Sequence, residues 1–355
     1  MYQDKKISVA IATYNGEKYI REQLESILNQ TVVPDEIIIS DDGSKDKTLE
    51  IVQQLSASIC ADQASIHIIK NNGKRGYSQN FENAIRHTTG DIIFLCDQDD
   101  VWVPKKVEKI AECFLHNNVL FVFHNAVCIG ADGELLQTVF NPFVEGLSKS
   151  NEIGELVQLQ RTNYLERTVC CTLVEGMATC IAKELLEIAL PFPKQTTGHD
   201  HWLPFCAEIR NACYYYNEVL TMRRLHGNNV TGVGKQSLHT KARKILTHIA
   251  RYSNEQAVRF STAEAMKSHL VKLCNEREPG VAAAIITAER VAGIGKAELD
   301  SARSGRLIGA VKLIKLYLTD VRYRKSGKKA FLYELADILL RSKKARIKNL
   351  EEMGL

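Results

Sequence analysis

Three carboxylates leave the end of one apolar run in Asp91-Ile-Ile-Phe-Leu-Cys-Asp-Gln-Asp-Asp100: Asp97, Asp99 and Asp100. Crowded into one turn, they repel one another unless a cation, a sugar hydroxyl or water neutralises them. Two acids at i and i+2 of a loop can share one hard divalent ion, and oxygen-only ligation suits Mn²⁺ or Mg²⁺. The structural alternative is a solvated acidic turn capping a helix that starts near Pro104. A second acidic pair, Asp41-Asp42, stands in a Gly/Ser turn, and Thr13 and Asn15 stand in an earlier one. Acids there can accept hydrogen bonds from a base N–H or from ribose hydroxyls, while a metal at Asp97/Asp99 meets phosphate charge and activates a diphosphate leaving group. An Asx turn with Ser44 or Asp46 capping a helix is the plainer reading of Asp41–Ser44. No Gly-x-Gly-x-x-Gly follows the first strand and no Walker lysine occurs, which argues against a dinucleotide or P-loop domain.

Elements that position these residues follow from periodicity. Ile7–Thr13, Glu36–Ser40, Ile66–Ile69 and Asp91–Cys96 are short β-branched or apolar runs that end in polar loops. Helical spacing covers Glu17–Asn29, Asp46–Leu55, Ser78 to about His87 and Lys105–Leu115. Strand and helix alternating in this way predict parallel βαβ units, a sheet with helices on both faces, and ligands beyond the carboxyl ends of the strands. Further on, Leu120–His124, Met177–Ile181 and Cys213–Met222 read as strands. Asn151–Tyr164 reads as a helix, Thr197–Phe205 as a turn entering one, and residues from Ser237 onward as helices.

Charge divides the chain. Residues 1–235 carry 22 Lys/Arg against 30 Asp/Glu, a balance of −8, whereas residues 236–355 carry 24 against 12, a balance of +12. The texture changes at the same place, so the expected organisation is a catalytic domain over 1–235 and a basic helical region over 236–355. The 10 cysteines form no Cys-x-x-Cys pair, which suggests neither zinc nor a disulfide framework and fits a reducing cytoplasm. No signal peptide and no run of about 18 apolar residues is found, so the expected location is cytoplasmic. No recognised nucleic-acid motif accompanies the basic charge, and no nucleic-acid partner is expected.

Four motifs carry a resemblance: Val9-Ala-Ile-Ala-Thr-Tyr-Asn15, Ser26-Ile-Leu-Asn-Gln-Thr31, Ile39-Ser-Asp-Asp-Gly-Ser44 and Phe94-Leu-Cys-Asp-Gln-Asp-Asp-Val-Trp102. Their order and spacing resemble the family 2 inverting glycosyltransferases of the GT-A fold over about residues 5–235. The resemblance implies that Asp41 contacts the nucleotide base, Asp97 the ribose and Asp99 the divalent metal. Thr13 and Asn15 match the family's nucleotide-side loop. Gly198-His-Asp-His-Trp-Leu203 resembles the element that supplies the catalytic base, here Asp200, whose structural alternative is a helix N-cap. Arg224-Leu-His226-Gly-Asn-Asn229 resembles a segment in which Arg224 and His226 approach the diphosphate or the metal.

The Gln/Arg-x-x-Arg-Trp motif and membrane helices of processive synthases are missing, which implies one sugar per encounter. The Cys-Asp-Gln-Asp-Asp-Val-Trp form is similar to bacterial rhamnosyltransferase-like members that build cell-surface polysaccharide. It leans the donor toward dTDP-L-rhamnose, with UDP-sugars open. A lipid-linked saccharide acceptor suits the basic C-terminal region, whose residues 306–346 are expected to meet an anionic membrane surface at the inner face of the cell membrane. Two rival readings remain at this stage. One is a silent nucleotide-sugar-binding scaffold, disfavoured by intact Asp41, Asp97, Asp99 and Asp200. The other is a nucleotidyltransferase, disfavoured because Thr13-Tyr-Asn-Gly16 lacks a Gly-rich basic loop.

Overall fold

The structure is a computed structural model that describes residues 4–59, 64–73, 75–116, 118–139, 152–159, 174–193 and 198–227, with scattered helical positions between 263 and 312. Its first half alternates as expected: β1 (Ile7–Thr13), α1 (Ile20–Leu28), β2 (Glu36–Asp41), α2 (Thr48–Ser58), β3 (Ser65–Lys70), α3 (Tyr77–Arg86) and β4 (Ile92–Cys96). There follow β5 (Val101–Trp102), α4 (Lys106–Cys113), β6 (Phe121–Ile129), β7 (Leu135–Val139) and β8 (Leu156–Gln158). The last are β9 (Thr179–Ala182), α5 (Leu186–Ala189), α6 (His199–Ile209) and β10 (Cys213–Arg224).

One sheet runs β3-β2-β1-β4-β9-β6-β10-β5, with β7 on β6 and β8 on β10. The ladders of β1 with β2 and β4, of β2 with β3 and of β6 with β10 are parallel. Those of β9 with β4 and β6, and of β5, β7 and β8 with their neighbours, are antiparallel. The strands of the centre read as continuous apolar runs because they are covered on both faces. Ile7, Val9, Ile11, Ile93, Phe94 and Leu95 are wholly buried, each contributing roughly 1.5–3 kcal/mol by leaving water. β3, at one edge, is only half-buried.

Register is what builds the site. Thr13 of β1 lies opposite Asp41 of β2, and Ile11 lies opposite Cys96, the last residue of β4. Three carboxyl ends therefore open side by side, and the loops after them must meet. On the far side, β5 pairs antiparallel with Thr221 and Met222, which brings the acidic turn before β5 up against the end of β10.

Two expectations need correction. The helix expected over 151–164 is not found in its described part: Leu156–Gln158 form β8, paired antiparallel with Tyr214–Tyr216. The spacing of Ile153, Leu156, Val157 and Leu159 mimics a helix, but Gly154 takes a positive φ of 83° and the strand edge of β10 captures the segment. The strand expected from Met177 begins later, because Gly176–Ala178 form a short 3₁₀ turn before β9. The elements named here belong to one compact unit that ends at Gly234, and the described positions beyond it belong to a second. The segment expected to meet a membrane, 306–346, lies outside the described residues except for Lys312. Among the described residues no helix is long and apolar enough to cross a membrane.

Candidate active site

The loop after β1 is fastened from below. Asn15, at φ 48°, donates its N–H to the Ser44 hydroxyl at 2.9 Å, and its side-chain oxygen accepts the Lys45 N–H at 2.9 Å. Asp41 is the bracket between the two loops. Its Oδ1 accepts the Thr13 hydroxyl at 3.1 Å and the Ser44 hydroxyl, and its Oδ2 accepts the N–H groups of Gly43 and Ser44, both at 2.9 Å. Turned into its own Asx turn, Asp41 does not line the cleft above; Asp42, Thr13 and Asn15 do. Asp42 accepts Asn71 Nδ2 at 2.8 Å and the Gly76 N–H at 2.9 Å, which fixes the entry to α3.

That cleft, of about 850 Å³, is also lined by the acids. One carboxylate oxygen from each of Asp97, Asp99 and Asp100 lies within 4.8 Å of the others. Burial and the neighbouring Asp99 push Asp97 up to about 7, and the same two causes push Asp100 well above the usual carboxylate range. Asp100 is 2% exposed, and its Oδ1 accepts the Arg224 N–H at 2.9 Å. Its Oδ2 is buried without a partner among the described residues. Asp99 Oδ2 meets His226 Nε2 at 2.7 Å, and the His226 ring is stacked on Tyr19 with centroids 4.8 Å apart. Converging, mutually repelling oxygens with one orphaned acceptor form the donor set a hard divalent cation relieves, so the residues fit the metal that the sequence implies.

Arg224 is held against the acidic turn. Its buried guanidinium donates to the carbonyls of Asp99 (3.1 Å), Gly130 (3.3 Å) and Ala131 (3.2 Å) and pairs with Glu22 at 2.6 Å. It is a fastener behind the acidic turn and does not line the cleft. Arg223 does, because successive side chains of a strand point to opposite faces. It pairs with Glu175 at 2.9 Å, and both line the cleft. Sequence reasoning missed Arg223, Glu175, Tyr77 and Gln98. The only available signal for Arg223 was its place beside Arg224 in a strand, which does not say which of the two faces inward.

Asp200 lies in the first turn of α6, behind Gly198 at the N-cap, and its carboxylate takes hydrogen bonds from its own N–H and from that of His201. Burial, then the Glu175 carboxylate, push it up to about 7. Tyr77 stands near it: burial and the charges of Asp200 and Asp97 push the phenol up to about 12. Beneath the cleft the buried Lys106 ammonium donates to the Met177 carbonyl and the Thr221 hydroxyl, both at 2.9 Å, and lies 4.0 Å from the Trp102 ring centroid. It ties the turn carrying Glu175 and Gly176 to the strand carrying Arg223. Of the residues predicted from sequence, Thr13, Asn15, Asp97, Asp99, Asp200 and His226 share the cleft, and Asp41 and Arg224 support it from behind.

Residues 8–172 match the family described as Glycosyl transferase family 2. The dTDP-rhamnosyl transferase RfbG of Shigella flexneri is 30% identical over 235 residues, 62% of this chain and 73% of that one. The UDP-Glc:alpha-D-GlcNAc-diphosphoundecaprenol beta-1,3-glucosyltransferase WfgD of Escherichia coli is 30% identical over 190 residues, 54% of this chain and 65% of that one. This chain thus spans a little under two thirds of the latter relative. Among solved structures, S. aureus TarS 1-349 in complex with UDP-GlcNAc superposes with a TM-score of 0.51 at 15% identity, covering 94% of this chain and 90% of that one. The likeness is one of fold, and the fold is the GT-A arrangement expected from the sequence.

Proposed function

The chain belongs to glycosyl transferase family 2 and is a glycosyltransferase; from that premise we propose that it moves a single sugar, with inversion and with the help of a divalent metal, from a nucleotide-sugar to a lipid-linked saccharide acceptor. One observation carries the reading: the acids Asp97, Asp99 and Asp100 and the separate acid Asp200 line one cleft together with the loop Thr13–Gly16. Asp99 and Asp100, with Asp97 beside them, would hold Mn²⁺ or Mg²⁺, with His226 steadying Asp99. The ion, when bound, offsets charge on the leaving diphosphate.

Asp200 supplies the base. The acceptor hydroxyl gives its proton to the Asp200 carboxylate as its oxygen bonds to the anomeric carbon. The bond from that carbon to the diphosphate oxygen breaks, and the nucleoside diphosphate leaves with the electron pair. A carboxyl held near neutrality by burial is suited to that exchange. Asp42 and Arg223 are the cleft's own acid and cation on the nucleotide and phosphate side, in place of Asp41 and Arg224.

The named activities of the two relatives support two donor classes, dTDP-rhamnose first and UDP-sugars second, and the diphosphoundecaprenol in one name supports a lipid-diphosphate acceptor. Work at the inner face of a membrane, through the basic region 236–355, belongs to the same reading. Thermal-shift screening against UDP-, dTDP- and GDP-sugars with Mn²⁺, followed by transfer assays, tests it. One donor class should raise the melting temperature only with metal, and transfer should stop in EDTA and return with Mn²⁺ or Mg²⁺. Full transfer in chelator would overturn the metal assignment, and retention of anomeric configuration would overturn inversion.

A further inference from the structure

His199 is a buried imidazole with nothing to bond to. It is 3% exposed, and both ring nitrogens are buried without a hydrogen-bond partner among the described residues. Its ring lies on Phe81, with centroids 3.9 Å apart at 37°, and edge-on to Tyr77 at 6.3 Å and 71°. Its Nε2 is directed at Gly176, where a Cβ would come within 2.3 Å of it, so only glycine leaves room for the ring in this position. His199, Phe81, Tyr77 and Gly176 all line the cleft, beside Asp200.

Native proteins bond their buried polar groups, because an unmade hydrogen bond keeps the desolvation cost without the return. An unsatisfied pair of ring nitrogens at the wall of a substrate cleft is therefore a site completed by what enters the cleft. The chemistry of that occupant can be narrowed. Burial, with no carboxylate to offset it, holds the ring neutral, with its pKa lowered to about 3. A neutral imidazole offers one donor and one acceptor. A phosphate or carboxylate only accepts and calls for a cation, whereas a hydroxyl both donates and accepts. The exposed ring of Tyr77 offers an apolar face, like the C–H face of a pyranose.

We propose that His199 is a specificity-determining residue that hydrogen-bonds a hydroxyl of a sugar ring seated against Tyr77, next to Asp200. The inference rests on the reading of this cleft as the site of sugar transfer. The hydroxyl belongs either to the donor sugar or to the acceptor saccharide, and the same imidazole chemistry serves both.

The test uses the full chain and two variants, His199→Phe and His199→Gln. Phenylalanine keeps the stacking on Phe81 and removes the unpaired nitrogens, so its melting temperature should equal or exceed that of the wild type. Its kcat/KM for transfer should fall about 10- to 100-fold, the loss of one well-made hydrogen bond to substrate, and glutamine should recover part of the loss. Affinity for UDP and dTDP, which carry no sugar, should stay within about twofold. A fall in the affinity of UDP-glucose or dTDP-rhamnose relative to the free nucleotide, with slower donor hydrolysis, assigns the hydroxyl to the donor. An unchanged ratio with a raised acceptor KM assigns it to the acceptor. Transfer by His199→Phe within about twofold of wild type for both substrates, or a fall in melting temperature that accounts for the lost activity in both variants, overturns the inference. A wild-type chain that binds and transfers no sugar overturns the reading beneath it, and this inference with it.

Discussion

The side-chain amide of Gln98 closes on the backbone of Tyr14 as a neighbouring strand would. Its Oε1 accepts the Tyr14 N–H at 2.9 Å and its Nε2 donates to the Tyr14 carbonyl at 3.0 Å. Gln98 lies between Asp97 and Asp99, so the loop on the nucleotide side and the turn that would hold the metal share one fastener. Gly16 completes the fit, since a Cβ there would lie 2.3 Å from Gln98 Oε1. The two loops are thereby held as one frame, although 84 residues separate them in sequence.

Breaking that frame should cost activity more than stability. In Gln98→Glu the amide donor is gone, the Tyr14 carbonyl faces a carboxylate, and a fourth carboxyl group joins the acidic turn. We expect kcat/KM for the nucleotide-sugar to fall about 10- to 100-fold, on the scale of one lost positioning contact, with a change of melting temperature of a few degrees at most. Gln98→Ala should show a smaller fall of the same kind. Steady-state kinetics beside thermal melts decide it, and kinetics within about twofold of wild type for both variants would mean the fastener is idle.

Much of this was legible in the residues. The continuous apolar runs of β1 and β4 could only be buried strands, and parallel alternation placed Thr13, Asn15, Asp97 and Asp99 at one end of the sheet. Burial and pairing within ladders decided the rest, and those are properties of the fold. Arg223 and Arg224 are adjacent in β10 and face opposite ways, and no local pattern says which of them meets the cleft. Asp41 and Asp42 divide in the same manner, one closing its own turn and the other lining the site. Residues 156–158 have helical spacing but pair with β10, because an open strand edge outweighs a weak local preference. Nothing in the sequence singles out His199, since its lack of partners exists only once Phe81, Tyr77 and Gly176 surround it.

Asp200 should set the acid limb of activity. A base works only when deprotonated, and burial together with Glu175 raises this carboxyl to about 7. Transfer should therefore rise with pH through about 7 and level off above it. Besides burial, the Glu175 carboxylate raises the pKa of Asp200, while hydrogen bonds from the N–H groups of Asp200 and His201 and the Arg223 guanidinium lower it. Glu175→Gln removes that carboxylate and releases Arg223 from its ion pair, so the acid limb should move to lower pH. Asp200→Asn should lower turnover by orders of magnitude while leaving nucleotide affinity nearly unchanged. An acid limb that stays in place in Glu175→Gln, measured as kcat/KM against pH, would remove Asp200 from that role.

Glu36 should make the fold sensitive to acid independently of the site. Its buried carboxylate starts β2 and accepts the Ser8 hydroxyl at 2.6 Å, the Thr89 N–H at 2.6 Å, the Thr89 hydroxyl at 2.8 Å and the Lys6 ammonium at 3.0 Å. Burial raises its pKa, but these hydrogen bonds outweigh burial and hold it at about 2, below the ordinary 4.5. A folded-state pKa below the unfolded one means stability that is fully present above about 4.5 and is lost as pH falls toward about 2. In Glu36→Gln the same contacts survive only in part, and an amide cannot match a charged acceptor for Lys6. The variant should be less stable at pH 7 by about 1–3 kcal/mol. That deficit should shrink steadily below pH 4.5, where the unfolded wild-type chain takes up a proton at this carboxylate and the folded chain does not. Urea unfolding of both proteins at pH 7, 5, 4 and 3 measures the two curves, and a deficit that stays constant over that range would show that the charge on Glu36 contributes nothing.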